Sequence, residues 1–118
     1  MNNRRRLIRL DVGDFLEIRP LKEIAKHTKA ETKNFSLMGI CFSSETEWQK
    51  GQVIFIDYFI PEELDSVKLK VAVVWSEFID TTQGYFCGTE IIEIEEGKGD
   101  KFASYYFQKL RERFLSSE

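Results

Sequence analysis

Positive charge is concentrated at the start of the chain, where four arginines fall within nine residues: Arg4, Arg5, Arg6 and Arg9. Guanidinium groups grip phosphate through paired hydrogen bonds and also stack on purine rings. The chain has 17 basic and 20 acidic residues; without these four arginines, 13 basic residues remain and the net charge of the rest is −7. A basic cluster this local indicates a small anionic ligand rather than a long polymer.

A second group of polar residues lies further along, in the stretch Asn34-Phe35-Ser36-Leu37-Met38-Gly39. Asn and Ser side chains initiate turns by bonding their own backbone, and glycine allows a close backbone approach. Taken alone, this stretch is typical of a turn leading into a strand. Together with the arginines, its amide, hydroxyl and bare backbone predict one anion- and purine-binding site.

Alternating apolar residues predict the β-rich scaffold that must hold this site. One such pattern predicts a strand over residues 10–20, which Pro20 ends. For the polar stretch that follows we predict a short strand around Ile24–Thr28 and then a loop to residue 33. Further strands are predicted after Gly39 and over residues 53–60, 67–79 and 85–94.

Three residues in these strands and loops carry particular expectations. Trp48, in a polar loop, is expected to cover the core. The alternation over residues 67–79 places Trp75 on the buried face. Gly88, in the middle of the last strand, indicates a bulge or a sharp bend of the kind that barrels need.

The end of the chain predicts an amphipathic helix from Lys101 to about Leu115, with Asp100 as its N-cap. We expect its apolar face to pack on the sheet, and that face carries Ala103, Tyr106, Phe107, Leu110 and Phe114. The predicted fold class is all-β with a terminal helix: a six-stranded antiparallel β-barrel closed by a C-terminal α-helix.

Composition and charge argue against several other classes of protein. The 118 residues are 42% apolar and suit a single domain. No apolar run approaches the roughly 20 residues needed for membrane insertion, and no signal-peptide pattern is present, so we expect a cytoplasmic protein. The net charge of −3 offers no overall field for DNA. Cys41 and Cys87 form no C-x-x-C pair and are expected to be reduced thiols.

The sequence also gives little support to catalysis. His27 is the single histidine, so neither a zinc site nor a Ser-His-Asp triad has the residues it needs. We find no paired carboxylates with a local pattern and no phosphate-binding glycine loop. The sequence therefore predicts a binding protein rather than an enzyme, without a metal or a cofactor.

The two groups of polar residues also fit known motifs. Arg5-Arg6-Leu7-Ile8-Arg9 fits R-x-x-x-R, and Asn34-Phe35-Ser36-Leu37-Met38-Gly39 fits [D/N]-x-S-x-x-G. In this order the pair resembles the motifs of the PilZ domain, a bacterial receptor module for the second messenger cyclic di-GMP. The resemblance covers nearly the whole chain and implies the same barrel, with cyclic di-GMP as the ligand.

The resemblance also implies roles for individual residues. Arg5 and Arg9 would flank the ligand. Asn34 would bond a guanine edge, and Ser36 a phosphate or nearby backbone. Gly39 would let the backbone approach closely.

For the chain as a whole, the resemblance implies a single-domain adaptor. Residues 1–9 would form a flexible basic arm that closes over the nucleotide, and residues 10–118 the barrel domain. Arg4, immediately before the first motif, favours two ligands per chain. The ordered arm would change a surface read by an unidentified protein partner in motility or biofilm signalling. Two alternatives remain open: a PilZ-fold interaction module acting without nucleotide in pilus or motility assembly, and a small RNA-binding barrel.

Overall fold

A computed structural model of the protein describes residues 8–20, 28–61 and 63–116. The elements it contains, in chain order, are β1 (Leu10–Asp11), β2 (Phe15–Pro20), β3 (Thr28–Phe35), β4 (Gly39–Ser44), β5 (Val53–Ile60), β6 (Asp65–Asp80), β7 (Gly84–Ile94) and the helix α1 (Gly99–Ser116).

The strands close into the predicted barrel. Neighbouring strands pair antiparallel in the order β3-β2-β5-β6-β7-β4, and β4 pairs back onto β3, which gives a ring of six strands. The short β1 pairs with the end of β3, beside β2. The single strand predicted over residues 10–20 is therefore two strands, interrupted at residues 12–14. The prediction of a six-stranded barrel with a C-terminal helix is confirmed.

The loop predicted before residue 33 is wrong, because that stretch belongs to β3. This strand contains lysines and a glutamate, so its sequence does not alternate between apolar and polar residues. Its inward side chains include the buried polar Thr32. Hydrogen bonding to β2 and β4 on either side makes it a strand regardless of composition. Of the strand predicted around Ile24–Thr28, all but Thr28 lies outside the described residues.

A bulge in β6 overturns the prediction for Trp75. Val73 pairs with Thr89, but Trp75 pairs with Gly88, so that Val74 is an extra residue in the ladder. One extra residue reverses the faces of everything that follows it. Val73 is buried, whereas Trp75 is 43% exposed on the outside of the barrel. Gly88 lies at the predicted irregularity, and Trp48 is buried as expected.

The helix begins at Gly99, two residues earlier than predicted, and its packed face shares only Tyr106 and Leu110 with the predicted one. Its buried side chains are Phe102, Tyr105 and Tyr106, at the spacing of one helical stripe. Phe107 and Phe114, predicted to pack on the sheet, are 51% and 56% exposed. The stripe that meets the barrel is thus rotated away from the one we predicted, because the aromatic rings are spread around the helix.

Aromatic side-chain contacts and hydrogen bonds to one carboxylate hold the helix on the barrel. The ring of Phe35 lies 5.7 Å from that of Tyr105 and 5.6 Å from that of Tyr106. Tyr58 of β5 and Tyr105 of α1 both donate hydrogen bonds to the Asp14 Oδ2 atom, at 2.6 and 2.5 Å. Burial, and then the bond to Asp14, raise the pKa of Tyr58 far above its ordinary value, so its proton is retained.

Within the described residues, no helix is long and apolar enough to cross a bilayer.

Candidate functional site

The two motifs meet through a hydrogen bond between their side chains. Arg9 precedes β1, whose residues Leu10 and Asp11 pair with Phe35 and Asn34 of β3. This register places Arg9 beside Asn34, and the Arg9 Nη1 atom donates to the Asn34 Oδ1 atom at 3.0 Å. Two residues 25 positions apart in the sequence thus form one polar cluster.

Ser36 shapes the turn between β3 and β4. The Met38 backbone N–H donates to the Ser36 Oγ atom at 3.1 Å, and the Ser36 N–H donates to the Gly39 carbonyl at 2.9 Å. The Met38 carbonyl in turn accepts from the Ile91 N–H of β7, which ties the turn to the barrel. The Ser36 hydroxyl thus acts as an acceptor within the turn, and its own O–H group is a further donor.

Gly39 lies where two neighbours leave no room for a side chain. A Cβ built on it would be 2.2 Å from the Thr89 carbonyl oxygen and 3.4 Å from the Arg9 Nη2 atom. The first distance is far inside van der Waals contact. The absence of a side chain at Gly39 therefore allows β4 and β7 to approach each other closely. It also leaves space for the Arg9 guanidinium over β4.

An open pocket of about 370 Å³ lies beside this cluster. On one side it is lined by residues of the two motifs, namely Arg9, Asn34, Ser36 and Met38. The other side and the floor come from the strands β4, β6 and β7, with Cys41, Val74, Trp75, Phe86, Gly88, Thr89 and Glu90. The pocket thus combines a guanidinium and an amide with a large aromatic ring.

A larger depression of about 680 Å³ lies elsewhere, between residues such as Phe15, Lys29 and Thr46. None of the predicted site residues that the structure describes lines it. We place the candidate site in the smaller pocket because the guanidinium and amide groups that suit an anionic purine ligand converge there.

Trp75 is the largest side chain of the pocket that the sequence prediction missed. A Cβ built on Gly88 would lie 2.1 Å from the Trp75 Nε1 atom, so the indole occupies the space above that glycine. The half-exposed ring forms a flat wall of the pocket. The mid-strand Gly88 was the available indication in the sequence, since such a glycine often marks a close approach.

Comparison with known proteins identifies the family. A family model described as PilZ domain matches residues 3–108. This chain belongs to the PilZ domain family. No curated protein matches it in sequence.

Two solved structures share the fold of this PilZ domain. One is the Bacillus subtilis inhibitor of motility, MotI/DgrA, with 17% identity and a TM-score of 0.78 over 99% of this chain. The chain spans 55% of the length of that protein. The other is the PilZ domain of YcgR from Escherichia coli with c-di-GMP, at 14% identity and a TM-score of 0.64, which covers 98% of both chains.

The predicted site residues of this PilZ domain divide into two groups. Arg9, Asn34 and Ser36 line the pocket, and Gly39 lies directly beneath the Arg9 guanidinium. Arg4 and Arg5 lie outside the described residues, so their roles stay predictions.

The helix holds the described end of the predicted arm through its backbone. The Tyr106 hydroxyl donates to the Ile8 carbonyl at 2.5 Å, and the Arg113 Nη1 atom donates to the Arg9 carbonyl at 3.1 Å. These contacts use main-chain oxygens and leave the Arg9 guanidinium for the pocket. The pocket and the helix are therefore joined through residues 8 and 9.

The cysteines of this PilZ domain are poorly suited to thiolate chemistry. Burial raises the pKa of the Cys41 thiol in the pocket floor, although the Arg9 and Lys33 cations offset part of that rise. Burial, with a contribution from Cys41, raises the pKa of Cys87 to about 12. Both are thiols at neutral pH, as free cysteines in the structure.

Proposed function

We propose that this protein is a cyclic di-GMP receptor of the adaptor type and binds the nucleotide in the pocket beside Trp75. The hydrogen bond between Arg9 and Asn34 carries this proposal, because it joins both motifs at one pocket. The c-di-GMP in the E. coli YcgR structure supports the same ligand class in a protein of this fold.

The groups around the pocket suit a molecule with two phosphates and two guanines. Arg9 uses Nη1 toward Asn34, which leaves other N–H groups of its fork for a phosphate or for the O6 and N7 atoms of guanine. The amide nitrogen of Asn34 and the hydroxyl of Ser36 are further donors. The indole of Trp75 can stack on a base, which is worth about 1–3 kcal/mol per base in other nucleic-acid sites.

Residues before Arg9 would complete the site. We propose that Arg5 flanks the ligand opposite Arg9 and that Arg4 stacks on a second nucleotide, giving two ligands per chain. Several charge-assisted bonds at about 1.5–3 kcal/mol each would be offset by ordering about six backbone residues at about 1–2 kcal/mol each. That balance gives a reversible receptor with moderate affinity.

Ligand binding would reach a protein partner through the arm and the helix. A ligand that draws the Arg9 side chain into the pocket also acts on its carbonyl, which is bonded to Arg113. We propose that the surface formed by the arm and the end of α1 is the one that changes for the partner.

Isothermal titration calorimetry with cyclic di-GMP tests the proposal, with cyclic di-AMP and GMP as comparison ligands. We expect cyclic di-GMP to bind in preference to both, and Arg9→Ala to weaken binding by about 2–4 kcal/mol through loss of a charge-assisted contact. The same isotherms count the ligands per chain. Arg111→Ala is the matched control, since Arg111 is an exposed arginine of α1 that does not line the pocket.

Three results would contradict the proposal. A folded protein that gives no heat with cyclic di-GMP would favour an interaction module that acts without nucleotide. Equal affinity in the wild type and Arg9→Ala would place the ligand elsewhere. Binding of RNA with a steep salt dependence, in place of the dinucleotide, would favour the RNA-binding alternative.

A further inference from the structure

Glu90 supplies the only carboxylate among the described residues that line the pocket. It lies on β7 directly opposite Gly39 of β4, with Ala72 of β6 on its other side. The residue is half-buried. Neither motif of the family contains this position, which lies far along the chain from the second motif, in a different strand.

The neighbours of Glu90 place it next to the arginine of the site. Residues directly opposite in an antiparallel pair have Cβ positions about 4.5–5.5 Å apart. At Gly39 that position is empty, and the Arg9 Nη2 atom lies 3.4 Å from it. Glu90 and Arg9 therefore both lie beside the empty position at Gly39, and both line the pocket.

The aromatic wall lies on the same face of β7. Residues two apart in a strand point to the same side, so Gly88 and Glu90 share a face. Trp75 covers Gly88, which puts the indole one step, about 7 Å, along the strand from Glu90. A base that rests against Trp75 can turn one edge toward Glu90 while Arg9 stays within reach.

We infer that Glu90 reads the Watson–Crick edge of a guanine held in this pocket. That edge presents two adjacent donors, N1–H and the N2 amino group, which match the two oxygens of a carboxylate. Adenine presents an acceptor at N1 and has no amino group at C2, so a carboxylate there would face a lone pair. Glu90 would thus select guanine, while Arg9 binds phosphate or the O6 side. This inference rests on the proposed function.

A positioning role for Glu90 makes a different prediction. If Glu90 acts only by holding the Arg9 guanidinium, its loss weakens every ligand that Arg9 contacts by the same factor. If it reads the base, its loss changes the ratio of affinities between bases. Cyclic di-IMP separates the two roles because its hypoxanthine bases keep N1–H and O6 but lack the N2 amino group.

The experiment titrates cyclic di-GMP, cyclic di-IMP and cyclic di-AMP into the wild type, Glu90→Gln, Glu90→Ala and Glu93→Gln. Glu93 is the matched control, an exposed glutamate of the same strand that lies outside the pocket. We expect the wild type to prefer cyclic di-GMP over cyclic di-IMP by about 10-fold or more. In both Glu90 variants the preference should fall to about 2-fold or less, with cyclic di-GMP weakened about 10- to 100-fold.

The outcomes are distinct. Equal weakening of cyclic di-GMP and cyclic di-IMP in the Glu90 variants would overturn base reading and leave only positioning, and unchanged affinities would remove Glu90 from the site. Both results would leave the proposed function intact. Failure of cyclic di-GMP to bind the wild type and Glu93→Gln would overturn the proposed function and this inference together. Glu90→Gln preserves the side-chain shape, so the test stands even if Glu90→Ala does not fold.

Discussion

Arg9 acts through two separate parts of the same residue. Its guanidinium donates to Asn34 at the pocket, and its carbonyl accepts from Arg113 of the helix. Truncating the side chain therefore removes the group that we propose to bind the ligand, while the main-chain link to the helix remains. This separation makes Arg9→Ala a clean test of ligand binding, because the variant keeps the contacts that hold residues 8 and 9 in place.

Gly39 provides a prediction at the same scale. In Gly39→Ala the added methyl group would meet the Thr89 carbonyl oxygen at 2.2 Å, so the backbones of β4 and β7 must separate. We expect the free energy of unfolding, measured by urea denaturation, to fall by about 1–3 kcal/mol, the usual cost of overpacking.

Gly99→Ala is the control for that measurement, since a Cβ at Gly99 meets nothing within 4 Å. It should leave the unfolding free energy nearly unchanged. If Gly39→Ala is as stable as Gly99→Ala, the close approach of β4 and β7 does not exist in solution.

At the scale of elements, the bulge in β6 is the feature that builds the site. Before it, Val67, Leu69, Val71 and Val73 point inward and form core. After it, Trp75 points outward over Gly88, and the pocket gains its aromatic wall. A regular strand would bury the same tryptophan and remove its indole from the pocket.

The start of α1 is joined to the start of β6 by Asp65, and this contact predicts a pH dependence. Lys101 donates to Asp65 Oδ2 at 2.6 Å, the Ser66 N–H donates to Oδ1, and Lys98 donates to Oδ1 at 3.2 Å. In that order these bonds lower the pKa of Asp65 below its ordinary value. Asp65 therefore contributes stability above its unfolded-state pKa, near 4, and loses it as the pH falls further.

The test compares thermal unfolding midpoints of the wild type and Asp65→Asn between pH 7 and pH 2. We expect the variant to unfold at lower temperature at pH 7, with a constant difference down to about pH 4 and a shrinking one below it. Glu77→Gln removes a carboxylate from the exposed part of β6 and controls for net charge. A difference for Asp65→Asn that persists unchanged at pH 2 would contradict the ionic origin of the contact.

At the scale of the whole molecule, barrel closure and helix docking bring the functional parts together. Pairing of β3 with β1 and with β4 places both motifs at one pocket, and α1 packs across the barrel to reach the carbonyls of residues 8 and 9. The helix itself is fixed to the barrel by Tyr58, Tyr105 and Asp14. A conformational change at the pocket can therefore be transmitted to the C-terminal end of the helix through few contacts.

Hydrogen exchange with and without cyclic di-GMP tests this connection. We expect the amides of residues 7–10 to gain protection when the ligand binds, because the nucleotide would add contacts to the Arg9 side chain beyond its bond to Asn34. The amides of residues 67–73 in β6 should change little, since that strand is buried and paired on both sides. Equal protection of residues 7–10 with and without ligand would show that the switch does not lie in this segment.

Much of the architecture was predictable from the sequence alone. Apolar alternation in β5, β6 and β7 and helical spacing after Gly99 are local patterns, so they identified the barrel and its closing helix. Arg9, Asn34, Ser36 and Gly39 belong to short motifs whose residue types carry the chemistry. The polar β3 was missed because hydrogen bonds to its neighbours, and not its own composition, make it a strand.

Only the tertiary structure decided which further residues join the site. Whether Trp75 faces the core depends on a bulge defined by its pairing with Gly88, and Glu90 enters the pocket because it lies opposite Gly39. The face of α1 that is buried follows from how the helix docks, which left Phe107 and Phe114 exposed. These positions depend on contacts between residues far apart in the chain. Such contacts cannot be deduced from the local spacing of residue types.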